Sequence, residues 1–264
     1  MKKKHYPFRN IFMTLFLIFL YAPILYTIVF SFNSSKSLTK FTGFSLKWYD
    51  KMFQTKSMME ALFYTIAVAV LATIISTVVG TITAIGLSKS RKVMRNVVEQ
   101  VNQLPIMNPE IVTAIGLLML FSALHLSKGF VTMLLAHIMF CIPYVILSIM
   151  PKLRSLNPNL AEAAMDLGAT PWQALVKVIV PECMPGIISG ALIAFTMSFD
   201  DFVISYFVTG NGVSNISILV YIEARRINPS INALSTVIVL IITITLLLAN
   251  VVPAMKEKKL KNIK

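Results

Sequence analysis

Three acidic side chains stand inside stretches that are otherwise apolar. Glu110 is the tenth residue of the segment 101–124, and Asp200 and Asp201 lie in the segment 185–208. A carboxylate at the centre of a bilayer costs roughly 3 kcal/mol or more unless it faces protein or water. Acids in that setting suit a cationic ligand, and Phe199, Phe202, Tyr206 and Phe207 put aromatic faces nearby. The chemistry on offer is the binding and passage of a cation rather than bond making. No nucleophile–base pair or metal constellation appears. His125 and His137 are single and unpaired, which points to packing. Cys141 and Cys183 lack metal spacing and read as small buried hydrophobes. No Gly-x-x-x-x-Gly-Lys-Ser/Thr loop is present to cradle phosphates, so an enzyme is not expected and the chain carries no cofactor of its own.

The elements that must position these acids follow from composition. Of 264 residues 56% are hydrophobic and 13% are charged, about half the usual charged share of a soluble domain. An all-α, polytopic membrane protein with six transmembrane helices is predicted, over 11–32, 61–87, 101–124, 130–150, 185–208 and 233–252. Each is about 20 or more residues long, enough to cross a bilayer. A rise of 1.5 Å per residue puts Glu110 on the order of 14 Å into the third span, with Pro105 and Pro109 breaking the helix beside it. The alternative starts that helix at Ile111 and leaves Glu110 in an interfacial loop. For Asp200 and Asp201 the alternative is a helix end at Phe199. On a continuous helix the two acids would point about 100° apart, so both could not face the same cavity equally, which leaves a structural role open to one of them. Gly186 and Gly190 form a Gly-x-x-x-Gly that reads as packing, inside the chain or against a partner. Asn33-Ser34-Ser35 and Asn215-Ile216-Ser217 match glycosylation acceptors, a pattern short enough to arise by chance.

The net charge of +13 is no nucleic-acid footprint. Sixteen of the 24 bases fall at the termini and in the second and fourth connections, so both termini are predicted cytoplasmic in a multi-pass cell-membrane protein. The predicted division is a cytoplasmic N-terminus at 1–10, a transmembrane domain at 11–255 containing a cytoplasmic loop at 152–182, and a basic cytoplasmic tail at 256–264. The run from Met1 is basic and then apolar for over twenty residues, too long for a signal peptide, so an uncleaved first helix is expected.

The loop between the fourth and fifth spans is patterned more finely than the rest. Asn157 and Pro158 read as a helix start, Leu160, Ala163, Ala164 and Leu167 share one face, and Gly168 suits a C-terminal cap. Thr170, Pro171 and Gln173 then form a capping box for a second helix ending at Pro181. Two short helices joined by a glycine turn could dock a soluble partner or lie on the membrane interface.

Glu162-Ala163-Ala164, then Gly168, then Val178-Ile179-Val180-Pro181 resembles the EAA loop of binding-protein-dependent ABC importer permeases. Phe44-Ser45-Leu46-Lys47-Trp48-Tyr49, Pro109-Glu110-Ile111-Val112 and Ser198-Phe199-Asp200-Asp201-Phe202-Val203 resemble the spermidine/putrescine members, in particular the second of their paired permeases. The resemblance implies a type I ABC importer permease fold and an ATP-driven import of polyamines by alternating access. It implies that Glu162, Ala163, Ala164, Gly168 and Pro181 couple the chain to a cytoplasmic ABC ATPase dimer, which holds ATP and Mg. The other implied partners are a second homologous permease and an extracytoplasmic polyamine-binding protein, within a lipid bilayer. Glu110, Asp200, Asp201 and Tyr206 are then the expected substrate pathway. Other cargoes of related permeases (metal ions, phosphonates, oxyanions) and an ATP-independent carrier are the alternatives, and the loop at 157–181 argues against the carrier.

Overall fold

A computed structural model describes residues 7–210, 212–224 and 228–244. The chain divides into two compact units, Met1–Met59 with Val220–Lys264, and Glu60–Leu219. The predicted basic cluster Lys2, Lys3 and Lys4, the bases Arg225 and Arg226, the tail 256–264 and the end of the sixth span lie outside the described residues.

In the first unit, the described part of α1 spans Pro7–Ser31. Asn33 then knots the following turn. Its amide donates to the Ser37 and Lys40 carbonyls at 2.9 Å, and its Oδ1 accepts from the Thr42 amide at 2.9 Å. Its carbonyl accepts the buried Trp48 indole N–H at 2.6 Å, which fixes α2 (Lys47–Gln54). This satisfied, buried Asn33 is a structural residue and not a glycan acceptor. The unit's last described helix, α12, runs Ser230–Ile244.

The second unit is built on three long helices: most of α3 (Lys56–Ser88), then α6 (Phe130–Ser155) and α9 (Val180–Asp200). Their seam is steric. A Cβ on Gly186 would lie 3.1 Å from the Ser148 carbonyl oxygen, and one on Gly190 would lie 3.1 Å from the Val145 Cα. The Gly-x-x-x-Gly motif therefore packs α9 on α6 inside this chain, and buried Ala194 and Cys183 extend the same seam. On the other side of Val145, a Cβ on Gly80 would come within 2.7 Å of its Cγ1, so one β-branched side chain is clasped between two glycines. Both cysteines are free and buried, as their surroundings in sequence predict.

Among the described residues, four helical stretches are long and apolar enough to cross a membrane: Ile11–Ser31, Lys56–Ser88, Phe130–Ser155 and Pro171–Asp200. The third predicted span takes a different form. Lys92–Met107 (α4) and Glu110–Ala123 (α5) are bent by 103° at Asn108 and Pro109. Pro109 breaks the path because it disfavours helical geometry in Asn108 before it. Pro105 lies within α4 and breaks nothing. The 14 Å depth for Glu110 fails with the bend, since helical rise cannot be summed through it: Glu110 is the exposed first residue of α5. The fifth span also differs. It begins at Pro171 and runs 30 residues to Asp200, and the chain beyond it re-forms as a separate short helix, α10 (Val203–Val208), before α11 (Ile216–Ala224).

The patterned loop keeps its glycine turn and shifts both flanking boundaries. Its first helix, α7 (Leu160–Asp166), starts later than Asn157 because the Asn157 side chain accepts the Asn159 amide at 3.0 Å and holds a turn there. Gly168 has φ +91°, with its amide bonded to the Met165 carbonyl at 2.8 Å and that of Ala169 to the Ala164 carbonyl at 3.1 Å. Those two bonds make the Schellman ending. Thr170 and Gln173 form the predicted capping box, starting α8 (Pro171–Ala174). Pro181 does not end the second helix. A π-turn at Leu175–Ile179 widens the backbone just ahead of the proline, which has no N–H to give, and the helix runs on as α9.

Candidate functional site

The bend between α4 and α5 and the break between α9 and α10 meet at one cavity of about 250 Å³. Glu110 enters from the start of α5, and Asp200 and Asp201 enter from the end of α9. Phe140, Tyr144 and Phe202 supply aromatic walls. The 100° separation holds for a continuous helix, whereas α9 stops at Asp200 and Asp201 turns into extended backbone with ψ 126°. Tyr206 does not line the cavity; its ring sits behind Phe202 with centroids 5.5 Å apart.

The two aspartates have different duties. Asp201 is mostly buried and serves the backbone: its carboxylate accepts the Ile204 amide at 3.3 Å and the Ser205 amide at 2.7 Å. It thereby takes two of the orphan donors at the start of α10. Asp200 is exposed, and among the described residues its carboxylate has no hydrogen bond or ion pair. It is the last residue of α9, at the negative end of the helix dipole. A carboxylate there is disfavoured by about 0.3–1 kcal/mol, and a bound cation relieves that repulsion. Glu110, at the positive end of α5, is favoured by its dipole. The cavity thus holds exposed negative charge facing aromatic rings, an arrangement that can take ammonium groups and their apolar spacers.

A cluster that the sequence did not announce lies behind this cavity. His137 of α6 is fully buried, with Nδ1 2.7 Å from the Ser198 hydroxyl and Nε2 2.9 Å from the Ser205 hydroxyl. Its Nε2 is 3.5 Å from the Asp201 carboxylate. His137 is thus packed inside the chain, with hydrogen-bond partners on both ring nitrogens that the sequence did not show. Asn215 joins the cluster by donating to the Asp201 carbonyl at 2.8 Å and to Ser205 Oγ at 3.0 Å, and it is too buried to accept a glycan. The one available signal was spacing: Ser198 and Ser205, seven apart in apolar surroundings, would share a helix face.

The other candidate site is the loop. Glu162 and Ala163 are exposed, as are Leu167 at 91% and Trp172 at 70%, so apolar side chains surround the glycine turn. The reverse side is anchored, with Leu160, Ala161 and Leu175 packed against the core that includes Leu153 and Ile179. Pro181, the expected end of the motif, is exposed within the first turn of α9.

The chain matches a family model described as "binding-protein-dependent transport system inner membrane component" over residues 76–257. It is 39% identical to the putrescine transport system permease protein PotI of Escherichia coli K12, covering 88% of this chain and 85% of that one. It is 34% identical to the spermidine/putrescine transport system permease protein PotC of the same strain, covering 95% of each. Among solved structures, a bacterial ABC transporter involved in import of the acidic polysaccharide alginate superposes with TM-score 0.72 at 18% identity, over 93% of this chain and 94% of that one. The inward-facing MetNI methionine ABC transporter gives 0.57 at 19%, over 72% and 95%. The fold is that of ABC importer permeases, and the chain belongs to the family of binding-protein-dependent transport system inner membrane components, as a multi-pass permease subunit.

Proposed function

We propose that this chain is one of two homologous permeases in an ATP-driven importer of polyamines, and that Glu110 and Asp200 contact the cargo in transit. The carrying observation is the gathering of Glu110, Asp200 and Asp201 on one cavity beside Phe140, Tyr144 and Phe202. The names of the relatives, putrescine and spermidine/putrescine permeases, support the same cargo. Oxyanions and phosphonates would be repelled by the three carboxylates.

An extracytoplasmic polyamine-binding protein delivers the cargo in this reading. ATP and Mg are held by a cytoplasmic ATPase dimer, and this chain hydrolyses nothing. Both termini face the cytoplasm, and so does the loop at 152–182. ATP binding closes the ATPase on Glu162, Ala163, Ala164 and Gly168, and the helix beyond Pro181 carries the movement into α9 and its break. The unbroken path from α8 through the π-turn into α9 supports that transmission, because α9 ends at Asp200.

The test is uptake into vesicles holding the whole complex. Asp200→Asn and Glu110→Gln are expected to raise the polyamine KM about tenfold, the scale of one partly desolvated charge pair. Wild-type uptake and polyamine-stimulated ATPase in both variants would sink the pathway assignment.

A further inference from the structure

We infer that His137 is a positioning residue for this cation site: it holds the break between α9 and α10 in the shape that presents Asp200 to the cavity. The inference rests on the cation-pathway reading above. His137 does not line the cavity, so it does not touch cargo itself. Its ring lies between the last turn of α9 and the first turn of α10. One nitrogen meets Ser198 on the former at 2.7 Å, and the other meets Ser205 on the latter at 2.9 Å. The ring is therefore a two-headed strut across a gap in the backbone. The Phe140 ring stands 5.1 Å from it on one side and lines the cavity on the other.

The second support is the quality of the polar packing around the strut. Asp201, held 3.5 Å from Nε2, caps α10, and Asn215 ties the Asp201 carbonyl to Ser205. Broken helices persist at membrane depth only where side chains re-satisfy the freed backbone groups. Here one histidine connects to every member of that set directly or through Ser205. An apolar residue of similar volume would pack well but leave α9 and α10 free to close into one helix. On a continuous helix Asp200 and Asp201 diverge by about 100°, and the cavity loses one of its carboxylates.

The experiment uses the complete importer in vesicles, with the amount of assembled complex measured for each variant. Histidine 137 is replaced by leucine, glutamine and asparagine. Glutamine reaches as far as Nε2 and can bond Ser205; asparagine reaches only as far as Nδ1 and Ser198. His137→Leu is expected to raise the spermidine KM about tenfold at nearly unchanged maximal rate per complex, the scale of a lost buried hydrogen bond near a charge. His137→Gln should recover most of that loss and His137→Asn little of it. If His137→Leu does not assemble, Ser205→Ala decides, with a KM rise of several-fold expected. A KM within twofold of wild type in His137→Leu or Ser205→Ala overturns the inference, as does an equal drop in maximal rate for leucine and glutamine without a change in KM. Wild-type complex that ignores spermidine and putrescine sinks the cargo reading and this inference with it, whereas polyamine-dependent wild type with an insensitive His137 sinks this inference alone.

Discussion

Replacing Gly168 by alanine tests whether the loop is pre-ordered for a partner. Gly168 has φ +91°, and a Cβ built there meets nothing within 4 Å. The penalty is therefore purely conformational, about 1–2 kcal/mol for a non-glycine residue held left-handed. Asparagine tolerates that region better and should cost less. The seven residues of α7 gain little from the core, since Leu160 and Ala161 are its packed residues, so their order rests on the two Schellman bonds. Weakening the turn leaves global melting almost unchanged and moves the cost to the step that must order it, ATPase docking. The expected loss of ATPase affinity is roughly 5- to 30-fold for Gly168→Ala and smaller for Gly168→Asn. Binding is read by titrating the purified permease pair with ATPase and following Trp172 fluorescence. Equal affinity for glycine and alanine, or weaker binding for asparagine than for alanine, would refute the reasoning.

His125 ends α5 with the same pair of bonds and φ 55°, so His125→Gly should raise stability by about 1 kcal/mol, measured as a higher melting temperature. Gly190→Ala should lower it by about 1–3 kcal/mol, because its Cβ meets Val145 backbone. Gly86→Ala in the same melting series should instead gain about 0.5–1 kcal/mol, since it is helical and opens onto free space. On ATPase binding, emission from exposed Trp172 should shift to the blue, and Trp48→Phe should leave the shift intact because Trp48 is buried around its bond to Asn33.

Features set by a few adjacent residues were legible in the sequence. The capping box at Thr170, the left-handed Gly168, the buried cysteines and the close-packing glycines all follow from local stereochemistry or burial. What failed was extrapolation along a helix. Glu110 looked deep because 1.5 Å was added per residue, and Asp200 and Asp201 looked divergent because 100° was added per residue. Both sums assume an unbroken helix, and all three acids sit where a helix breaks. Pro109 signalled the first break. No proline or glycine marks the second, which is held by Asn215 from the following turn and by His137, 68 residues from Ser205 in sequence. Pro181 misled in the other direction, because the π-turn ahead of it absorbs the missing donor.

The second break also explains why two adjacent aspartates occur in so apolar a chain. A helix that starts among buried side chains leaves amides that water cannot reach, and Asp201 accepts two of them, those of buried Ile204 and Ser205. That work occupies its carboxylate. Asp200, one residue earlier, still ends α9 and faces the cavity unpaired among the described residues. One acid maintains the interruption and its neighbour lines the opening. The division predicts opposite signatures for the conservative amides. Asp201→Asn keeps one acceptor oxygen but forfeits a charge-assisted bond, so it should lower the melting temperature, by the equivalent of about 1–3 kcal/mol. Asp200→Asn should raise melting slightly, by the equivalent of about 0.3–1 kcal/mol as the repulsion at the end of α9 is lifted, and raise KM. If both variants melt alike and differ only in KM, Asp201 belongs to the cargo and not to the backbone.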